Sequence, residues 1–408
     1  MVTDMKKGPL VGITVLDWTQ WQMGPVATSM LADLGADVIH LEHYITGDPG
    51  RGLTTNEFTD LPHGKHSYFE VNNRGKRGIT INLANDEGRK VIYRLVKKAD
   101  VFVHNYRPGI PERLKVDYAT LSKYNPKLIY ASASGFGEKG PDAGEGAMDM
   151  VGMARAGAGT LLGDEDNPNL PHYGGLADQI GAVFTAYGIM AALFARERTG
   201  IGQKVDTSLM GSLIFWQGLM LGKGFYLNKP TVQQKRKSAK NALWNYYKTK
   251  DGKWIVLTML QSQRHWLDMC KALGLEDLVN DPRFDNAVIR EKNCAELITY
   301  FDKAFLKKTA AEWDSLFRSG LDIISTPVRS MNDLAADPQV IANDYIINYQ
   351  HNVLGPIKVV GLPVAFSKTP GEVNAEAPEF GQHTEEVLIE LGGYTWDEIT
   401  ELRNKKAI

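Results

Sequence analysis

One carboxylate stands at the start of a helix that is otherwise almost entirely apolar. Residues 174–178 read Gly-Gly-Leu-Ala-Asp, and from 180 to 195 every side chain except Thr185 is apolar, aromatic or glycine. A helix of this composition packs on several sides and belongs to a core. Its first backbone N–H groups lack partners within the helix and favour negative charge there. Asp178 is therefore predicted to be either an ordinary first-turn residue or a reagent at a helix start where an oxyanion could be stabilised.

The elements around this helix predict a parallel sheet. Short apolar runs alternate with amphipathic helical patterns, which is typical of βαβ units. Strands are expected at 12–18, 36–41, 78–83, 100–104, 127–132 and 202–209, and helices at 24–34 and 86–98, the latter capped by Asn85. The turn after the first strand has no GxGxxG motif, so an NAD-dependent dehydrogenase is not expected.

The pattern changes in the second half of the chain. Runs at 243–248 and 254–259 flank Lys-Asp-Gly and predict a hairpin, followed by helices at 263–273 and 290–306. The predicted fold class is α/β, with a Rossmann-like large domain and a smaller α+β domain. The large domain is assigned to 1–200 and 330–408, a linker helix to 201–224 and the small domain to 225–325. Residues 355–378 are expected to form a surface excursion, and 381–391 a helix.

Composition excludes several classes of function. The 408 residues carry 46 Lys and Arg against 48 Asp and Glu, a net charge of −2, so neither nucleic acid nor a membrane surface is an expected partner. The two cysteines, Cys270 and Cys294, show no disulfide or zinc spacing. No signal peptide or run of 18 apolar residues occurs, and the apolar helix after Asp178 is expected to be too short for a membrane span. A cytoplasmic protein without a metal site is predicted.

Several short motifs occur together in a specific order. They are Leu16-Asp17, Gln22-Met23-Gly24-Pro25, Leu-Gly-Ala-Asp-Val-Ile at 34–39, Asn-Arg-Gly-Lys-Arg at 73–77, Ala-Asp-Val at 99–101, Asn-Tyr-Arg-Pro-Gly at 105–109, Gly-Ile-Gly-Gln at 200–203 and Gly-Gln-His-Thr-Glu-Glu-Val-Leu at 381–388. In these motifs, and over nearly its whole length, the chain resembles the class III CoA-transferases, the family of formyl-CoA transferase and carnitine CoA-transferase.

The resemblance implies a catalytic role for Asp178. In that family the aspartate attacks the donor thioester to give a mixed anhydride, and the CoA thiolate then converts it to an aspartyl-CoA thioester. The incoming acid repeats these steps in reverse. Backbone N–H groups near Gly174, Gly175 or the helix start are expected to receive the oxyanions. Gln22 matches the family's glutamine beside the reacting carbonyl.

The resemblance also implies a site for CoA esters, which act as substrates, with no tightly bound cofactor. The residues assigned to it are Met23, His43, Asn82, Leu83, Asn105, Tyr106, Arg107, Arg113, Met148 and Asp149. The two arginines suit a ligand that bears phosphates. Asp149 is expected either to border the aspartate or to cap a helix.

Three departures from the family pattern leave alternatives. His43 and Ala84 stand where relatives have basic residues, and Met148 stands where formyl-CoA transferase has tyrosine and α-methylacyl-CoA racemase has histidine. A thioether cannot exchange the α-proton, which disfavours racemisation. A racemase-like isomerase and a non-catalytic CoA-binding subunit remain the alternatives. The missing glycine-run loop before the hairpin argues against oxalate or formate as substrate.

The family implies an assembly of interlocked chains. A homodimer, or a heterodimer with a homologous subunit, is therefore expected. The expected donor is a short acyl-CoA such as succinyl-CoA, and the acceptor is a larger organic acid. Four aromatic residues, Trp21, Trp244, Tyr246 and Tyr247, point to an apolar or aromatic acid, although aromatics at strand spacing are more often core residues.

Overall fold

The structure is a computed structural model of the chain, and it describes residues 7–52, 61–163, 169–170, 174–229 and 235–408. The chain divides into two compact units. One comprises Met1–Thr231 with Gln339–Ile408, and the other comprises Val232–Pro338. The predicted domain limits differ from these bounds, and the assignment of a function to each domain stays a prediction.

Six parallel strands form the sheet of the first unit: β1 (Thr14–Trp18), β2 (Asp37–His43), β3 (Arg77–Ile81), β4 (Val101–His104), β5 (Ile129–Ser134) and β6 (Gln203–Ser208). Their order is β3-β2-β1-β4-β5-β6, which confirms the predicted parallel sheet. The order reverses between β1 and β4, so the loops after these two strands lie side by side. Ligands of open α/β sheets bind at this reversal.

Ten helices lie in the described part of this unit up to residue 229. They are α1 (Met23–Asp33), α2 (Ser67–Asn73), α3 (Asp86–Val96), α4 (Ile110–Arg113), α5 (Tyr118–Leu121), α6 (Asp149–Arg155), α7 (Ala158–Leu162), α8 (Leu176–Thr199), α9 (Leu209–Trp216) and α10 (Gly218–Leu227). The side chain of Asn85 accepts a hydrogen bond from Glu87 N–H, which confirms the predicted cap of α3.

The second unit pairs a small antiparallel sheet with helices. Its strands are β7 (Trp244–Lys248), β8 (Trp254–Thr258) and β9 (Ser325–Pro327), and its helices are α11 (Ser262–Leu273), α12 (Ala287–Lys292), α13 (Cys294–Phe305), α14 (Ala310–Phe317) and α15 (Met331–Leu334). The predicted hairpin is present as the antiparallel pair β7 and β8. Its core includes Tyr247, Phe301 and Trp313.

After the second unit the chain adds α16 (Pro338–Ala342), β10 (Ile346–His351), β11 (Gly355–Val360), α17 (Thr384–Glu390) and α18 (Trp396–Asn404). In the first unit, side chains of α3, α17 and α18 pack on one face of the large sheet. Side chains of α1 and α8 pack on the other face. The sheet is therefore covered on both sides, as its nearly continuous apolar strands require.

The strand predicted at 202–209 is β6, which pairs in register with β5, and the helical part of the segment 201–224 is formed by α9 and α10. Two other local predictions are wrong. The helix assigned to 290–306 is two helices, α12 and α13, separated at Asn293. The surface excursion from 355 begins with β11, which forms a hairpin with β10.

Helix α8 is longer than its apolar stretch suggested. It spans 24 residues and is long and apolar enough, by length and composition alone, to cross a membrane. The expectation that it is too short is therefore wrong. The same test is passed by core helices of globular proteins, and α8 packs against α1, α9, β5 and β6 as a core helix does. The finding is weak evidence for a membrane span.

Candidate active site

Helix α8 begins without a side-chain cap of its own, because its N-cap is Gly175 in the left-handed conformation. The cap comes from Asp149, the first residue of α6. Its Oδ1 accepts hydrogen bonds from the backbone N–H groups of Ala177, at 2.6 Å, and Asp178, at 3.1 Å. Asp149 is therefore a helix cap, one of its two predicted roles. Because these two N–H groups already bind Asp149, they cannot also donate to an oxyanion. They are therefore excluded from the backbone donors predicted at the helix start.

The Asp178 carboxylate faces the start of a second helix. It accepts a hydrogen bond from the backbone N–H of Met23, the first residue of α1. Burial, and to a smaller extent the negative charge of Asp149, raise the pKa of Asp178 to about 7 against the opposing effect of the Met23 N–H. A carboxylate with this pKa is partly ionised near neutral pH and is poorly solvated. Poor solvation makes the ionised form more reactive toward an electrophile.

Gln22 connects the two helix starts. Its Nε2 donates to the carbonyl oxygen of Gly174 at 3.3 Å. Gly175 has φ +59, and a Cβ built there would lie 2.4 Å from both Nε2 and Oε1 of Gln22. Glycine is therefore required at 175 both for the left-handed backbone and for the close approach of the Gln22 amide.

The loop after β1 is joined to the loop after β4 across the reversal of strand order. Asn105 holds Gln20 from both sides: its Oδ1 accepts from Gln20 N–H at 2.9 Å, and its Nδ2 donates to Gln20 carbonyl oxygen at 2.7 Å. The side chain of Tyr106 stacks on Trp18, with ring centroids 4.1 Å apart. These contacts fix the loop that carries Gln22 and Met23.

A cavity of about 610 Å³ opens at this place. Seven of the predicted site residues line it: Gln22, Met23, Asn105, Tyr106, Arg107, Met148 and Asp178. The Arg107 guanidinium packs on Gly146, where an added Cβ would lie 2.1 Å from a guanidinium nitrogen. The fold thus brings together residues separated by more than 150 positions in the sequence.

Five other predicted CoA-site residues lie outside the lining of this cavity, and one of them is Asp149, the cap of α8 described above. Asn82 binds the C-terminal segment, donating from its backbone to Ala407 carbonyl oxygen and from its side chain to Lys406 carbonyl oxygen. Leu83 is buried in the sheet core. His43 is exposed at the end of β2, and Arg113 is exposed at the end of α4. Their contact with CoA stays a prediction.

Four polar residues that line the cavity are absent from the predicted site: Gln20, Tyr68, Ser134 and Glu145. Burial raises the pKa of Tyr68, and the negative charges of Asp178, Asp48 and Asp149 raise it further, so its hydroxyl stays protonated. Tyr68 stands in α2, 110 positions before Asp178, and no spacing signal relates them.

Of the four aromatic residues singled out, Trp21 lines the cavity, whereas Tyr247 is buried in the second unit.

Among the described residues, no group of three or more His, Cys, Asp or Glu side chains could hold a metal ion. The geometry is that of a half-buried carboxylate between two helix starts, beside a cavity large enough for an acyl group. Comparison with known proteins assigns the chain to a family. The model of CoA-transferase family III matches residues 10–384. The chain belongs to CoA-transferase family III.

Relatives of this CoA-transferase cover nearly its whole length. It is 34% identical over 396 residues to an acyl-CoA transferase of Fusarium pseudograminearum, covering 95% of this chain and 85% of that protein. It is 31% identical over 402 residues to the cinnamoyl-CoA:phenyllactate CoA-transferase of Clostridium sporogenes, covering 97% and 96%. The crystal structure of a CAIB/BAIF family protein from Brucella suis superimposes with a TM-score of 0.82 at 27% identity, covering 95% and 100%. The protein is thus a class III acyl-CoA:carboxylate CoA-transferase that uses CoA thioesters as substrates.

Proposed function

We propose that this CoA-transferase moves CoA from a short acyl-CoA, such as succinyl-CoA, to a larger organic acid through an aspartyl intermediate on Asp178. One observation carries the proposal. The Asp178 carboxylate lines the cavity, is half-buried, and meets the N–H of Met23 at the start of α1. A carboxylate is suited to this exchange because it can hold the acyl activation while one acid replaces another.

In the first half of the reaction, an Asp178 oxygen attacks the thioester carbonyl carbon and the carbon–sulfur bond breaks. This gives a mixed anhydride and CoA thiolate. The thiolate then attacks the Asp178 carbonyl carbon and expels the donor acid as a carboxylate, leaving an aspartyl-CoA thioester. The acceptor carboxylate attacks this thioester, and the released thiolate takes the acceptor acyl group and restores Asp178.

The Met23 N–H supports these steps in a way that follows from its position. It donates to the ionised carboxylate in the resting enzyme. When Asp178 is acylated, the same N–H polarises its carbonyl oxygen and stabilises the oxyanion that thiolate attack creates. Gln22, which adjoins the same helix start, is the second proposed donor toward a substrate or aspartyl oxygen.

The acceptor acid is proposed to carry an apolar or aromatic side chain. The cavity wall beside Asp178 includes Trp21, Tyr68, Met148, Val151 and Leu209. Among the described residues lining the cavity, Arg107 is the one basic side chain, so most of this wall offers apolar contacts. Relatives named for phenyllactate and for (R)-2-hydroxy-4-methylpentanoate act on acids of this apolar kind.

CoA binding is assigned to Arg107 at the cavity wall, with Arg113, His43, Asn82 and Leu83 as further proposed contacts. The assembly is proposed to be a cytoplasmic dimer with a second copy or a homologous subunit. An exposed apolar face of α8 favours the proposal of a protein partner. This face is formed by side chains that recur at helical spacing and are exposed in the single chain: Val183, Tyr187, Met190 and Phe194.

The deciding experiment traps the acylated enzyme. The protein is incubated with an acyl-CoA donor, treated with hydroxylamine and mapped by peptide mass spectrometry. The modification is expected on Asp178, because only an acylated carboxylate is electrophilic. Asp149 and Glu145 serve as internal controls and should remain unmodified. A label on either control, or none during active transfer, would refute the aspartyl intermediate.

Two variants complete the test. Asp178→Asn is expected to abolish transfer, whereas Glu145→Gln removes a carboxylate from the same cavity and should keep the reaction. Rapid exchange of the α-proton of a 2-methylacyl-CoA in deuterated water, without CoA transfer, would instead support the racemase alternative. A protein that neither transfers CoA nor becomes labelled would support the non-catalytic subunit.

A further inference from the structure

Four ionisable side chains form a buried cluster beneath the loop that follows β1. Nζ of Lys76 lies 2.8 Å from Oδ2 of Asp17, and Nδ1 of His40 lies 3.0 Å from the same oxygen. On its other side, Nε2 of His40 lies 3.6 Å from Oδ2 of Asp48, which is an ion-pair distance rather than a hydrogen bond. All four side chains are at most 1% exposed. They form a continuous chain from Lys76 to Asp48.

The charges of this cluster balance only when His40 is protonated, because Lys76 alone cannot compensate both aspartates. Burial lowers the pKa of His40, but Asp17 and the contact with Asp48 outweigh burial and raise it to about 9, against a smaller opposing effect of Lys76. The nearby Glu42 is neutralised by Arg51, whose nitrogen lies 2.7 Å away.

Neutral neighbours supply further hydrogen bonds to Asp17 and Lys76. Thr19 and Thr28 donate to Asp17, and Asn73 accepts from Lys76. Phe69 packs beside the His40 ring. His40 therefore faces Asp17, Asp48 and Lys76 as its charged partners among the described residues.

Asp48 extends this cluster to the active-site loop. Its Oδ1 accepts hydrogen bonds from Gly50 N–H at 2.7 Å and from Trp21 N–H at 3.3 Å. Trp21 has φ +66, a left-handed conformation that is uncommon for a bulky side chain. Such a residue persists only where its surroundings hold it. Trp21 directly precedes Gln22, whose side chain donates to Gly174, and Met23, whose N–H donates to Asp178.

We propose that Asp48 is a positioning residue for CoA transfer: held by protonated His40, it fixes the left-handed Trp21 peptide and so directs Gln22 and the Met23 N–H toward Asp178. The proposal rests on the assignment of Asp178 as nucleophile. Asp48 does not line the cavity, and its effect on the reaction is transmitted through the loop. Deprotonation of His40 is expected to leave the buried cluster with a net negative charge and to loosen this loop.

The test compares Asp48→Asn and Asp48→Ala with the wild type. Asn keeps an oxygen that can accept from Trp21 N–H but loses the charge opposite His40, and Ala loses both. For Asp48→Ala we expect kcat to fall roughly ten- to a hundredfold with little change in KM, because misplacement of a reacting group acts mainly on the chemical step.

The pH profile separates positioning from a structural role. We expect the wild-type kcat to fall above about pH 9, as His40 loses its proton. In Asp48→Asn this decrease should begin at a lower pH, because His40 has lost a negative neighbour. A purely structural effect of the substitution would lower the melting temperature or the fraction of active enzyme, and the pH at which kcat falls would not change.

Asp33→Asn is the matched control. Asp33 is also buried, at 3% exposed, but it pairs with Arg74 and does not contact the loop. The variant is expected to leave kcat and its pH limb unchanged.

The positioning role would be overturned if Asp48→Asn has the wild-type kcat and its kcat falls at the same alkaline pH as in the wild type, while Asp178→Asn is inactive. An active Asp178→Asn would overturn the proposed nucleophile instead, so the two failures are distinguishable. If the Asp48 variants do not fold, the wild-type protein still decides, because a kcat that is constant between about pH 8 and 10 contradicts the role of His40.

Discussion

Oδ1 of Asp149 lies 3.1 Å from the backbone nitrogen of Asp178, so the carboxylate that caps α8 is also the negative neighbour of the proposed nucleophile. The arrangement couples two properties of the site. The cap stabilises the helix start, and its charge helps to keep the pKa of Asp178 high. Changing Asp149 should therefore alter both stability and the pH dependence of transfer.

Replacing Asp149 with Ala is expected to shift the acidic limb of the pH–rate profile to lower pH. The loss of a negative neighbour lowers the pKa of Asp178, so its ionised form persists in more acidic solution. Loss of the cap should cost about 0.5–2 kcal/mol of unfolding free energy. Asp149→Asn is the control, because its oxygen can still accept the two N–H groups. If the acidic limb of the pH–rate profile is unchanged in both variants, the charge of Asp149 does not raise the pKa of Asp178.

The wild-type kcat/KM for the acyl-CoA donor is expected to rise as the pH passes through about 7. This is the value to which burial and the charge of Asp149 raise the pKa of Asp178. Only the ionised carboxylate attacks the thioester, and kcat/KM reports the free enzyme. Rates measured from pH 5 to 9, at about one-unit intervals and constant ionic strength, test this prediction. A flat profile across that range would show that Asp178 ionisation does not control the first step.

The same raised pKa has a consequence for stability. The folded state holds a proton on Asp178 that the unfolded state releases near pH 4, so this contribution to stability is fully present below about 4 and is lost as pH rises through about 7. Asp178→Asn, which carries no charge to bury, should therefore raise the melting temperature at pH 8 relative to wild type. At pH 5 the two proteins should melt at similar temperatures. Equal melting temperatures at pH 8 would contradict the burial of an ionised Asp178.

Gly175→Ala is expected to reduce kcat and to lower stability. A left-handed backbone costs a non-glycine residue roughly 1–2 kcal/mol, and the added Cβ would displace the Gln22 amide, which lies 2.4 Å from that position. Gly200→Ala is the matched control, since Gly200 is also left-handed at the other end of α8 but has no atom within 4 Å of an added Cβ. Equal losses of kcat in the two variants would show that the Gln22 contact is unimportant.

Arg107→Ala is expected to raise KM for the acyl-CoA donor more than Arg113→Ala does. Arg107 lines the cavity, whereas Arg113 lies outside its lining. Loss of one charge-assisted contact costs about 1.5–3 kcal/mol when the contact is shielded from solvent, and uniform binding appears in KM rather than kcat. The comparison is made at low and moderate salt. A larger effect of Arg113 would place the CoA phosphates along α4 instead.

The sheet could be predicted from the sequence because its signals are local. Apolar runs mark the strands and an Asn cap marks α3, so each element is recorded within a few adjacent residues. The β10–β11 hairpin was missed because Pro, Gly and Asn near its turn resemble a loop. The break between α12 and α13 was missed because the amphipathic pattern continues across Asn293.

The sequence by itself determined the family, the carboxylate at the helix start and seven of the residues that line the cavity. Only the tertiary structure decided how they act on one another. Asp149 is 29 positions from Asp178, and Met23 is 155 positions away; their contacts exist because α6 and α1 pack against α8. The high pKa of Asp178 and the proposed role of Asp48 arise from burial and through-space charge, which depend on distances that no local pattern encodes.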